Sequence, residues 1–357
     1  MSNFWSIVFG ILLFSFLIFI HELGHFLAAK ASKVQVNEFA MFMGPAIFKK
    51  QIGETLYSIR CIPIGGYCAM EGEDEDTDNP RSFQKARWWK RLIILAAGSA
   101  MNFVAGFLLF AVAFAPMKTV VTPVIDNFES YSTINGPEGL REGDEILKID
   151  GERIYVSDDV TLILALKGGE THDILVRRNG EKVLLDDLKM EAHPTKDEHG
   201  NDVMRYGMNL HSEDANFGSK LGYIWNYTID NVRNTRLSLQ MLITGQASFK
   251  DMSGAVGIVD MMTDVAASSP SWTDALLNLL YFGGFIAVNL AVMNLLPIPA
   301  LDGGRIVGLL LTTVIEAITR KKINPKYEGY IHAAGMILLL VLMAVITFKD
   351  IFTIFKR

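Results

Sequence analysis

Ile20-His21-Glu22-Leu23-Gly24-His25 decides how this chain is read, because it sets an H-E-x-x-H pattern at the end of a segment otherwise apolar enough to cross a membrane. Two histidines four apart share one face of a helix. At a rise of about 1.5 Å per residue their ring nitrogens can converge on one ion, and zinc accepts imidazole at roughly 2.0–2.1 Å. Glu22 lies one position along, within reach of a water on that ion. Two ligands, a general base and an open position are what metal-assisted peptide hydrolysis requires. The bland alternative is a helix whose polar end merely emerges into water. Phe4 to Ile20 holds no charged residue, however, and ionisable groups at membrane depth cost about 2.5–3.5 kcal/mol on insertion scales, so they usually mark function.

The chain has 357 residues, half of them hydrophobic, which fits a membrane protein of two or three domains. A net charge of -6 gives no reason to expect nucleic acid as a partner. Cys61 and Cys68 are too few for a disulfide scaffold and read as ordinary thiols. The first apolar run is too long for a signal-peptide core, lacks a basic residue before it and carries the motif itself, so it is expected to stay attached. Three more stretches are long enough to span: Leu92 to Ala115, Ala275 to about Leu301, and roughly Ile331 to Phe348. Basic residues crowd the loop between spans one and two (Lys30, Lys33, Arg81, Lys85, Arg87 and Lys90 among them) and that between three and four (Arg305, Arg320, Lys321, Lys322, Lys326). Both loops are therefore expected in the cytoplasm, with the metal motif toward that side and with the termini and the insert from about Met117 to Trp272 outside.

Between the first two spans, Val34 to Met70 alternates short β-favouring runs with Gly44-Pro45 and Gly65-Gly66 breaks, which predicts a small strand ribbon beside the motif. Such backbone is tolerated at membrane depth only where protein or water satisfies it, and its edge could pair with an unwound substrate. The acidic run Glu71 to Asp78 reads as a solvated loop, and Trp88, Trp89, Lys90 and Arg91 as an interfacial anchor. Gly98, Asn102 and Gly106 share a face of span two; the glycines read as close-packing positions, whereas the buried amide of Asn102 must find a partner in the bundle or the substrate. From Lys118 to Ser212 the chain turns polar and strand-rich. Asp150-Gly151 and Asn179-Gly180 predict type I′ hairpins, and Ser157 is placed to cap a helix running to about Lys167, closed by Gly168-Gly169. This segment resembles a PDZ-like domain, notably in Gly139-Leu140-Arg141-Glu142-Gly143-Asp144-Glu145-Ile146. Phe217 to about Gln246 is amphipathic and reads as an interfacial or bridging helix.

Two histidines and a water leave zinc one ligand short. Asn294-Leu295-Leu296-Pro297-Ile298-Pro299-Ala300-Leu301-Asp302-Gly303-Gly304 supplies a carboxylate, Asp302, beside prolines that break or kink a helix and glycines that let backbone approach closely. H-E-x-x-H in the first span together with N-x-x-P-x-P-x-L-D-G near the end of the third resembles the site-2 protease family (M50) of intramembrane zinc metalloproteases. Within it, Ile62-Pro63-Ile64-Gly65-Gly66-Tyr67, the Gly98-x-x-x-Asn102 pairing and the inserted domain resemble the bacterial regulator-of-sigma-E protease branch. The resemblance implies zinc-dependent cleavage of single-span membrane proteins, such as anti-sigma factors or remnant signal peptides, in a bacterial inner membrane. It also implies that Asn102, Asn289 and Asn294, with Gly65 and Gly66 of the ribbon, help hold the substrate strand. The chain departs from that branch in having one PDZ-like domain where enterobacterial members have tandem copies, and in Ala255 of Asp251-Met252-Ser253-Gly254-Ala255-Val256-Gly257-Ile258, where proline is expected.

The expected architecture is a four-helix membrane protein with a membrane-associated β ribbon and an inserted α+β PDZ-like domain. Its segments are 1–117 (spans one and two, motif and ribbon), 118–212 (PDZ-like domain), 213–272 (amphipathic linker) and 273–357 (spans three and four). Zinc held by His21, His25 and Asp302, with Glu22 as the base, defines the expected chemistry. A metal transporter or sensor using the same ligands is the rival class, although a transit site has no need of Glu22. A peptide-binding scaffold with a vestigial site is the other, and the complete ligand and base set argues against it.

Overall fold

The computed structural model describes residues 3–73, 77–136, 138–196, 202–248, 254–321 and 325–356. Asp74 to Asp76 of the acidic run, Asp251 to Ser253 and Lys322 lie outside the described residues. The chain divides into two compact units, 1–113 with 231–357, and 114–230. The expected border at 117/118 lies four residues past the observed one, and that at 212/213 falls short of it because the second unit also takes in the first half of a long helix.

The first unit opens with α1 (Asn3–Ala31), continuous through the motif. Two strands follow, β1 (Val36–Ile52) and β2 (Thr55–Met70), then α2 (Trp88–Ala113). The hairpin closes through Gly53-Glu54, with Ile52 opposite Thr55 and Ala46 opposite Arg60. Gly44, at φ +83, bends β1 there. Beyond the bend, the first part of β1 is paired on two sides, with Val36 to Met41 against Met70 to Gly66 and Glu38 to Met41 against Leu56 to Ile59. The ribbon is thus wider than a plain hairpin. Phe39 faces Phe26 of α1, ring centroids 4.9 Å apart, and joins Val36, Met70, Ile94 and Leu95 in one buried cluster. Ser15 of α1 donates to the carbonyl of Pro63 at 2.9 Å, which ties the ribbon to the first helix.

The second unit carries β3 (Thr119–Phe128), β4 (Glu145–Ile149), β5 (Glu152–Arg153), α3 (Asp158–Lys167), β6 (Thr171–Arg178), β7 (Glu181–Lys189), β8 (His193–Lys196), β9 (Asp202–Arg205) and β10 (Met208–Asp214). Its main sheet runs β10-β3-β4-β6-β7, with β5 on β4 and a separate β8-β9 pair. Both expected hairpin turns are present: Asp150 and Gly151 have φ 49 and 80, Asn179 and Gly180 φ 50 and 87, the pair of positive values a type I′ turn needs. The expected Ser157 cap is not formed. Instead Asp159 Oδ2 accepts from the backbone of Tyr155 and Val156, at 2.7 and 3.1 Å, and shapes the entry to α3. Asp144 is buried and receives two bonds from the Arg178 guanidinium, at 2.8 and 2.7 Å.

α4 (Phe217–Thr244) crosses from the second unit to the first. After it come α5 (Ala255–Ser268), α6 (Trp272–Asn294), α7 (Asp302–Thr319) and α8 (Pro325–Lys356). Among the described residues, four helical stretches are long and apolar enough to cross a membrane: Val8–Ala31, Trp88–Ala113, Trp272–Asn294 and Gly329–Thr353. Three differences from the sequence reading follow from packing. α6 stops at Asn294 rather than near Leu301, because the two prolines end the helix outright and Asp302 opens a new one. The 213–272 segment is not only linker: Met262 and Ala266 of α5 are buried with Leu13 and Leu17 of α1 and Leu279 of α6. Glu73, read as part of a solvated loop, is paired with Arg305 of α7. In lipid, helices associate through close contact rather than through hydrophobic burial. Gly106 meets that demand against α6, where an added Cβ would sit 2.7 Å from Val288 Cγ2.

Candidate metal centre

His21 and His25 project from the same face of α1. Their Nε2 atoms lie 3.1 Å apart, and Asp302 Oδ2, at the first residue of α7, lies 3.1 Å from one and 3.3 Å from the other. No other group of three or more such side chains could hold a metal ion among the described residues. A tetrahedral site with bonds of about 2.0–2.1 Å has edges of about 3.3 Å, so the three donors already stand at ligand spacing. Two imidazole nitrogens at 3.1 Å with a buried Asp302 Oδ2 that no hydrogen bond satisfies are an arrangement that a shared cation resolves. The residues fit zinc, with a fourth position open.

Supporting contacts set the imidazoles. His25 Nδ1 donates to the carbonyl of Ile94 in α2 at 2.8 Å, which leaves Nε2 as the unprotonated donor. His21 Nδ1 has the amide nitrogens of Asn102 and Asn294 each at 3.4 Å. An imidazole with Nε2 committed to a metal carries its proton on Nδ1, so an asparagine oxygen must face it. Turning the Asn102 amide half a turn supplies that acceptor, since its buried Oδ1 has no other partner.

Gly98 takes part more directly than a packing position does. A Cβ there would stand 2.7 Å from His21 Cε1 and 2.8 Å from His21 Nε2. Only a glycine leaves the two imidazoles room. Gly24, inside the motif, does the packing: a Cβ would lie 2.9 Å from Met101 Cγ and press on the backbone of Ala97. The spacing of Gly24 against the small residues of span two was the available signal for this contact. Gly66 places the ribbon beside Glu22, since a Cβ there would lie 3.6 Å from Glu22 Cγ, while Gly65 takes φ +84 against Met43.

Asp302 is positioned by irregular chain. Leu295 to Leu301 closes through short turns, including Ile298 N to Leu296 O at 2.7 Å and Leu301 N to Ile298 O at 3.1 Å. Ala300 has φ +78, a strained value for a residue with a Cβ, and donates its N–H to His332 Nδ1 of α8 at 3.1 Å. Gly303 abuts the carbonyls of Leu295 and Leu296, so that α7 can start directly beneath the end of α6. Sequence reasoning found the L-D-G motif but neither His332 nor the Glu73–Arg305 pair. Asn289 lies elsewhere: Thr235 of α4 donates to its Oδ1 at 2.5 Å, and its own Nδ2 donates to Phe285 O.

The sequence matches peptidase family M50 over residues 9–342. The chain belongs to that family. A Clostridium perfringens protein named as a zinc metalloprotease is 35% identical over 97% of this chain and 98% of its own length. The regulator of sigma-W protease RasP of Bacillus subtilis is 28% identical over 98% of this chain and 99% of its own. Zinc metalloprotease RasP of Shouchella clausii is 29% identical over 97% and 98%. The protein is a site-2-type zinc metalloprotease of membranes, and zinc is its cofactor.

Proposed function

We propose that this protease cuts the membrane-spanning segments of single-span proteins, with His21, His25 and Asp302 holding zinc and Glu22 acting as the general base. The observation that carries the reading is that both histidines and Glu22 lie within an apolar stretch long enough to span, Val8–Ala31, and not on a solvated domain. Bound zinc supplies Lewis acidity to a water and to the scissile carbonyl. Glu22 takes the proton of the attacking water and returns it to the leaving amine. Asn102 and Asn294, both at His21, support the ligand and offer amides to a substrate strand.

A helical substrate shields its peptide bonds, so it must unwind, and its freed backbone groups need partners. The Gly66–Met70 edge of the ribbon, paired on one side with β1 and brought beside Glu22 by Gly66, supports strand addition there, with Gly65 and Gly66 proposed to help hold the added chain. Asn289 is assigned a part in substrate holding only through its place on α6, since its amide is bonded to Thr235. The second unit is read as a PDZ-like domain from its sheet and two hairpins, and its insertion between membrane helices suits it to exclude substrates with bulky external domains. Anti-sigma factors or remnant signal peptides are the proposed substrates, in keeping with a B. subtilis relative named as a regulator of sigma-W protease. The ribbon lies at membrane level, the metal centre toward the cytoplasm, and the inserted unit and both termini on the other side.

Detergent-purified protein incubated with a panel of single-span peptides is expected to cut them within the apolar segment, and a zinc chelator to stop it. Cleavage restricted to soluble polypeptides, or unaffected by the chelator, would overturn the proposal. Deleting Thr119 to Leu210 is expected to admit full-length substrates that the intact enzyme ignores; an unchanged profile in a folded, zinc-loaded variant removes the exclusion role. A cysteine placed at Asn179 is expected to react with an impermeant reagent on intact cells, and its protection would invert the topology.

A further inference from the structure

Where α1 ends and α2 begins, the chain gathers a second set of charges that the metal centre does not use. A cleft of about 260 Å³ there is lined by Ser32, Lys33, Arg81, Lys85, Arg87 and Lys90, and no carboxylate is among its lining residues. Two of its cations are committed. Arg81 grips Glu54 through Nη1 at 2.6 Å and Nη2 at 2.8 Å, and Lys90 donates to the Ser32 carbonyl at 3.1 Å while lying over the Trp89 ring. Lys33, Lys85 and Arg87 are exposed and form no ion pair among the described residues.

Helix electrostatics sharpen the anomaly. Cations are favoured near the end of α1, but Arg87 and Lys90 stand at the start of α2, where the macrodipole favours anions. A bound anion reverses that penalty and satisfies the three unpaired cations together. The cleft also lies at a defined depth, because one span stretch ends at Ala31 and the next begins at Trp88. Trp88 and Trp89, both well exposed, mark the same level as interfacial. Given α1 and α2 as membrane spans, we propose that this cleft binds the phosphate headgroup of an anionic phospholipid, with the acyl chains left in the surrounding bilayer. Basic pockets at helix ends are suited to such headgroups. The shared chemistry is a phosphate anion, which a soluble phosphate could also supply; the opening at span-end level favours the lipid.

The test uses the full-length, zinc-loaded protein in neutral detergent, titrated with phosphatidylglycerol or phosphatidylcholine, and retained lipid is counted by native mass spectrometry. The wild type is expected to keep one phosphatidylglycerol with at least tenfold preference. Lys33→Gln/Lys85→Gln/Arg87→Gln is expected to weaken retention by about fivefold per charge, roughly a hundredfold together, with zinc content unchanged. Lys49→Gln/Lys50→Gln, which removes two exposed cations of the ribbon, is expected to change nothing. Should the triple variant fail to fold, Arg87→Gln alone is expected to show its fivefold loss. Equal retention of both lipids, full retention by the variants, or an equal loss in the ribbon control would each overturn the proposal. Displacement of the lipid by millimolar inorganic phosphate would assign the cleft to a soluble anion and overturn the lipid reading.

Discussion

The two halves of the candidate metal centre are built by opposite means. His21 and His25 come from one uninterrupted helix, whose period alone puts them on a common face, and a single carbonyl, that of Ile94, fixes the second ring. Asp302 comes from a break between two helices, where prolines, a strained Ala300, a glycine pressed against carbonyls and a histidine from α8 combine to hold one carboxylate. Local geometry sets this half within one helix, although Gly98 of α2 still bounds the room its rings have. The assembled half depends on every part of its surroundings.

The largest expected effect lies on the helical half and concerns chemistry alone. Glu22→Gln should lower cleavage by about 10²–10⁴-fold while zinc content, read by atomic absorption, stays at one per chain. Normal turnover would end the assignment of the base. Next, Asp302→Ala should cost zinc as completely as His25→Ala does, which equilibrium dialysis can measure; retention of stoichiometric zinc without Asp302 would show that the histidines suffice and that the comparison is misplaced. Gly98→Ala should weaken zinc by about tenfold or more with helix content kept, because the added carbon stands in the ligands' own space.

His332→Ala probes the assembled half at a distance. Losing one hydrogen bond, worth about 0.5–1.5 kcal/mol, should weaken zinc by about 2- to 13-fold, and His332→Asn, which can still accept, should restore part of it. An unchanged affinity in both would mean that the loop holds Asp302 without α8.

The smallest effect is expected far from the centre. Arg81 first, and then Lys30, hold the Glu54 carboxylate at about 2, below its unfolded value near 4.5. A depressed carboxylate stabilises the fold above its unfolded pKa, and that contribution disappears as pH falls through about 2. The pair is partly exposed, so Glu54→Gln should cost no more than about 1 kcal/mol in thermal unfolding at neutral pH, and less in high salt. A larger loss would indicate that the hairpin turn supports the ribbon as a whole.

The same contrast explains what could be read in advance. The helical motif, the four apolar stretches and the Asp-Gly and Asn-Gly turns were legible because period and turn chemistry are local properties of a few residues. α5 was not, since fourteen residues of mixed polarity declare themselves only by what they pack against. Nor was the double pairing of β1, because the Gly44-Pro45 bend signals a break without saying which segments meet beyond it. The place of Gly98 was hidden for another reason: a glycine on a helix face looks the same whether it admits a neighbouring backbone or a metal ligand.

The division of the centre also has a meaning in time. His25 precedes Asp302 by 277 positions, and at synthesis rates of about 5–20 residues per second that interval lasts roughly 14–55 s. Throughout it, on the proposed assignment, the first helix offers a base and two imidazoles without the carboxylate that would complete the site. On the proposed assignment, a chain that has not yet reached Asp302 holds two of the three ligands, so the site is complete only after the third apolar stretch has been made.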